Sequence, residues 1–133
     1  MMTLKIKKIF TTAVAVGCIA IMTCVPAMAA NYTSYAGTVK KLTDLETSLI
    51  MKSTTGSAYN EVKTLEDGCT LVCWMEDSSE TRVSEKVSYS TTGTKTIDYS
   101  QASAVKGNYI LTNISTAASQ LSSVYTAGRA TPN

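Results

Sequence analysis

The segment GCTLVCWMED, residues 68–77, holds Cys69 and Cys73, and a C-x-x-x-C spacing admits three chemistries: a disulfide, a metal site, or two inert thiols. A zinc site needs four nitrogen or sulfur ligands. The chain has no histidine, and its other two cysteines, Cys18 and Cys24, lie in an N-terminal apolar leader. For the disulfide, geometry decides. If CTLVCWME is a strand, four steps of ~3.3 Å hold the two Cα atoms about 13 Å apart, whereas a bridge requires roughly 4.4 to 6.8 Å. A helical turn would bring them to about 6 Å and permit a strained bridge. The strand reading is preferred, and with it Cys69, Leu71, Cys73 and Met75 share one apolar, inward face, so the cysteines are read as buried thiols.

The absence of histidine also excludes Ser-His-Asp and Cys-His catalysis. The acidic run Glu76-Asp77-Ser78-Ser79-Glu80 offers hard oxygen ligands but lacks the spacing and glycine of a calcium loop, so it reads as a solvated turn. No pair of carboxylates stands out as a catalytic couple. The expectation is a non-enzymatic protein with no catalytic residues, no metal and no cofactor. Trp74 is the most interesting remaining side chain. Its neighbours point inward, so it shares the opposite face with Thr70 and Val72, and pairing across an Asp67-Gly68 turn sets it across from Glu61. Trp74, Glu61 and Val72 are therefore the candidate binding residues, as a sugar-stacking platform or a protein-contact patch. The alternative, that Trp74 only covers an outer sheet face or lies under a loop, stays open.

The elements that must position these residues begin after a leader. Lys5, Lys7 and Lys8 precede an apolar run from Ile9 to Val25, then Pro26 and Ala27-Met28-Ala29, the small-x-small pattern cut by signal peptidase. Cleavage is expected after Ala29, with Ala30 the alternative, and the run is short of the ~20 residues that span a bilayer. Lipid attachment at Cys18 is a weaker rival, since Ala15-Val16-Gly17 lacks the usual leucine. The leader predicts export to the extracellular space. Export favours a disulfide as a tendency, and the local strand geometry is preferred over it.

Removing residues 1–29 leaves 104, enough for one small domain over 30–133. Nine basic against ten acidic residues then give a net charge of −1, so the basic balance that would favour nucleic acid is absent, and no membrane insertion is expected after cleavage. The partner is expected to be another macromolecule, protein or glycan. The 104 residues include 32 Ser and Thr and seven Tyr but no Phe, a composition that suits half-buried pleated surfaces.

Short apolar-alternating runs recur between turn signals. YNEVKTLE and CTLVCWME flank Asp67-Gly68, a strong hairpin signal of the type I′ kind. TRVSEKVSYS, KTIDYS, NYILTNIS and QLSSVYTAG follow. Residues 31–38 read as a loose lead-in. Residues 38–52 fit either a helix, with Val39, Leu42, Leu45 and Leu49 at helical spacing, or a strand, and the strand is preferred. The sum predicts an all-β fold, a small antiparallel two-sheet β-sandwich of six to seven strands.

The signal peptide, the Ser/Thr-rich domain, the late VKGNYILTNIS strand and the AGRATPN end together resemble the layout of small secreted β-sandwich proteins of Gram-positive bacteria. That resemblance implies a secreted or cell-surface-associated binding module. Some exported β-proteins of this size act as bacteriocins, so a bacteriocin-like antimicrobial role is the alternative expectation.

Overall fold

The computed structural model describes residues 32–41 and 43–133, within the second of the chain's two compact units, Asn31–Asn133. The leader, its cleavage motif and Cys18 lie outside the described residues.

Nine strands form: β1 (Thr33–Val39), β2 (Leu45–Glu46), β3 (Ile50–Met51), β4 (Ala58–Leu65), β5 (Leu71–Asp77), β6 (Val87–Tyr89), β7 (Gly93–Ile97), β8 (Tyr109–Thr116) and β9 (Val124–Thr131). A single helical turn, α1 (Ala102–Val105), precedes β8. The strands make an all-β, two-sheet sandwich, one sheet ordered β1-β9-β4-β7 and the other β2-β8-β5-β6 with β3 also on β8, all pairs antiparallel. Alternation explains the core. Tyr35, Val39, Ala58, Val62, Ile97, Val124 and Ala130 face in from the first sheet, and Leu71, Cys73, Met75, Tyr89, Ile110 and Ile114 from the second. Asn60, fully buried on β4, ties the layers together: its side-chain oxygen accepts from Tyr35 Oη at 3.0 Å and its backbone oxygen accepts from Tyr89 Oη at 2.8 Å.

Three local expectations are corrected. The lead-in forms β1, in unbroken register with β9. Within 38–52, strand pairing is confined to β2 and β3, one edge strand interrupted by a bulge: three residues, 47–49, oppose two on β8. Across it Thr47 N–H donates to Thr112 O at 3.0 Å, and the Thr47 hydroxyl accepts from Thr112 N–H at 2.9 Å, so a side chain completes the broken ladder.

The third correction concerns Asp67-Gly68. The turn exists, with Cys69 N–H donating to Glu66 O at 3.2 Å, but only Gly68 has positive φ (75°), so it is not the type I′ hairpin turn. β4 and β5 do not pair. Both edges of β4 are occupied, by β9 and β7, while β5 lies between β8 and β6 in the other sheet. The chain crosses from one layer to the other at Gly68, and the two apolar faces meet across the core instead of lying side by side.

Gly128 on β9 shows how tightly the first sheet is built. It lies between Tyr35 on β1 and Val62 on β4, and a Cβ there would overlap the Glu61 carbonyl oxygen and sit 2.5 Å from Tyr35 Oη. Gly128→Ala is expected to cost about 2 kcal/mol, because overpacking at this point displaces a ladder carbonyl as well as a side chain. Urea titration measures this, and a variant as stable as the parent would contradict the close approach.

Candidate functional site

The inward face of β5 carries no accessible chemistry. Cys69 and Cys73 are free and buried, and burial pushes the Cys73 thiol up to about 12, so at neutral pH it holds its proton and is a poor nucleophile.

The outward face of β5 is chemically richer. Register places Trp74 beside Asn113 of β8, and Asn113 beside Glu46 of β2. Lys86, just before β6, lies on the far side with its Nζ 4.4 Å from the Trp74 ring centroid, in cation–π contact. A row of carboxylate, amide, indole and ammonium thus crosses the sheet. Glu76, two residues along β5, accepts from Trp74 Nε1 at 2.6 Å and from Asn113 Nδ2 at 3.3 Å; the same Nδ2 lies 3.4 Å from Glu46 Oε1. Desolvation raises the Glu46 pKa, with the Glu76, Glu80 and Asp44 carboxylates adding to it in that order. Trp74 is 9% exposed, and Glu76 and Asn113 are also buried. Outer-face burial of this kind holds the indole in one orientation, with its polar edge satisfied and its face covered by an ammonium.

Further along the face the character changes. Met51 of β3 pairs with Tyr109 of β8, and the two are 47% and 52% exposed. Both lie on the side of the sheet shared with Leu111 and Asn113. Leu49, within the bulge, is 45% exposed. Of the five large apolar side chains exposed among the described residues, three are gathered at this end of one sheet.

The structure brings together only part of what the sequence singled out. Trp74 and Val72 share the outer face of β5. Glu61 does not join them: it lies on β4, on the outer face of the opposite sheet, paired with Arg129, whose guanidinium also stacks 4.5 Å from the Tyr32 ring centroid. The expected pairing failed because it depended on the β4–β5 hairpin. Glu76 is a second correction, since it belongs to β5 and the buried cluster, while the turn proper begins at Asp77, whose carboxylate accepts from Ser79 N–H at 2.9 Å and Thr81 N–H at 3.0 Å. Alternation through Val72, Trp74 and Glu76 carried the signal for it. Asn113, Glu46, Lys86, Met51 and Tyr109 enter the face through register alone, which no local pattern reveals.

Among the described residues no group of three or more Cys, Asp or Glu side chains is arranged to hold a metal, and no helix is long and apolar enough to cross a membrane. A depression of about 290 Å³ lined by Arg82, Val83, Ser100, Gln101, Ala104 and Val105 contains no carboxylate. Comparison of the chain with protein-family models, with curated proteins and with solved structures returned no match.

Proposed function

We propose that this is an exported, non-enzymatic binding protein whose partner is another protein, engaged through the outer face of the five-stranded sheet. The observation that carries the reading is the cluster of Leu49, Met51 and Tyr109, each close to half exposed, beside the rigid Trp74 assembly. Exposed apolar side chains gathered in one place, next to polar groups already fixed in orientation, are the makings of a contact surface that loses little entropy on binding. A protein fits this face better than a glycan, because the one indole that could stack on a sugar is covered by Lys86 and what stands free is aliphatic and phenolic. The leader read at residues 1–29 supports an extracellular setting.

The test uses fluorescently labelled protein and intact cells of the producing strain, before and after surface proteolysis. Retention of the parent protein, its loss on proteolysis, and at least a roughly tenfold weaker retention of the Met51→Ser/Tyr109→Ser double variant are expected. Retention that survives proteolysis would overturn the protein partner. Equal retention of the double variant would overturn the face.

A further inference from the structure

The sandwich has four edges, and three carry devices that discourage a further strand. On one side β6 is three residues long, and β7 turns Lys95 inward, its Nζ bonded to Ser88 O at 2.6 Å and lying 5.3 Å from the Tyr89 ring centroid. These two edges are also stitched together beyond their ends, where Glu85 N–H donates to Asp98 O at 3.0 Å and Ser84 bridges to Tyr99. On the other side the β2–β3 edge is cut into two-residue pieces by its bulge.

β1 has none of these features. Its sequence, TSYAGTV, contains no charge and no proline, and it runs seven residues in unbroken register with β9. Beyond that ladder, none of its backbone N–H or C=O groups is bonded to another described residue. Its outward side chains, Ser34, Ala36 and Thr38, are small and exposed, so nothing bulky bars an approaching strand.

We propose that the free edge of β1 pairs with β1 of a second copy of this chain, antiparallel about a twofold axis at Ala36, joining the two four-stranded sheets into one of eight strands. The occupant is argued from the strand itself. A twofold pairing sets Ala36 against Ala36 and Ser34 against Thr38 of the other copy, so every outward contact is between small, uncharged groups, and no like charges meet. A single strand pair buries less than a standard interface, so the association is weak and concentration-dependent.

Light scattering behind size exclusion, over a wide range of concentration, reads the mass of the purified chain directly. The parent is expected to approach twice the monomer mass as concentration rises. Ala36→Lys, at an exposed position, places two ammoniums opposite each other and is expected to stay monomeric, while Thr94→Lys on β7 leaves the dimer unchanged. Should Ala36→Lys lose its circular dichroism, register is read from two double variants instead. Ser34→Glu/Thr38→Lys provides two opposite-charge pairs across the axis and retains the dimer, whereas Ser34→Glu/Thr38→Glu abolishes it. A parent that is monomeric at every concentration, a folded Ala36→Lys dimer, or identical behaviour of the two double variants would overturn the proposal.

Discussion

The folded chain is expected to unfold cooperatively in alkali, with a midpoint at about pH 11, well before any backbone chemistry intervenes. The cause lies in the middle of the sandwich. Burial raises the pKa of Tyr35, Tyr89 and Tyr99, and takes the Cys73 thiol from 9.0 to about 12; for Tyr35 and Tyr89 the nearby Cys73 sulfur adds to the effect of burial. An acid whose folded pKa is raised keeps its proton after the unfolded chain has released it. Stability therefore falls as pH rises above about 9, where the unfolded thiol begins to ionise, and falls faster above about 10, where the phenols follow. Each group within its window contributes a slope of about 1.4 kcal/mol per pH unit. Cys73, Tyr35 and Tyr89 together approach ~4 kcal/mol per unit, enough to exhaust the stability of a hundred-residue domain within two units.

Lys52 opposes this trend. Its pKa is lowered by burial, so the unfolded chain holds that proton more tightly and stability rises with pH over the same region. One such group does not outweigh three. Far-UV circular dichroism against pH measures the transition. Cys73→Ala supplies a check of sign: it removes the first group to ionise, so the alkaline decline should begin about one unit higher even though the lost sulfur lowers stability at neutral pH. An unchanged onset in that variant would show that the thiol is not responsible.

Replacing Lys52 with methionine is expected to cost about 4 kcal/mol, lowering Tm by roughly 20 °C in a domain of this size. The Lys52 side chain is completely buried. Its ammonium donates to the backbone oxygens of Gly56, of Pro132 at 3.1 Å and of Asn133 at 3.2 Å, and lies 4.3 Å from the Tyr99 ring centroid. Tyr99 Oη donates in turn to Pro132 O at 2.9 Å, Thr54 N–H and hydroxyl both donate to Asn133 O at 3.2 Å, and Asn133 Nδ2 donates to Ser57 O at 3.2 Å. One cation thus fastens the loop before β4 to the segment after β9. Methionine preserves the stem and leaves these oxygens facing a thioether, so the loss is that of buried acceptors without a donor. Lys40→Met, at an exposed position, serves as the comparison and should move stability by less than ~0.5 kcal/mol. A Lys52→Met variant as stable as Lys40→Met would mean that the clamp contributes nothing.

These two features differ in how far the sequence foretold them. The inward set Cys69, Leu71, Cys73 and Met75 follows from period-two alternation, which a strand imposes whichever partner it finds. The all-β class followed from the same alternation and from the spacing of turn residues. The choice of partner did not follow. Asp67-Gly68 is a strong local hairpin signal, yet β4 and β5 ended in different sheets, because strand pairing is settled by which arrangement buries both apolar faces at once. With that choice went the place of Glu61, moved to the opposite face, and the company of Trp74, which came from β2, β8 and the segment before β6.

The sequence by itself determined the polarity of each strand, the absence of histidine chemistry, and an N-terminal leader set apart from the domain by composition. Only the tertiary structure decided that β1 is a strand with a free edge, that Glu76 lies buried beneath an indole, and that a lysine belongs in the interior. Lys52 illustrates the reason. A buried ammonium is tolerable only where several oxygens converge on it, and two of its acceptors, Pro132 and Asn133, lie 80 and 81 residues away, brought within reach solely by the way the two sheets close upon each other.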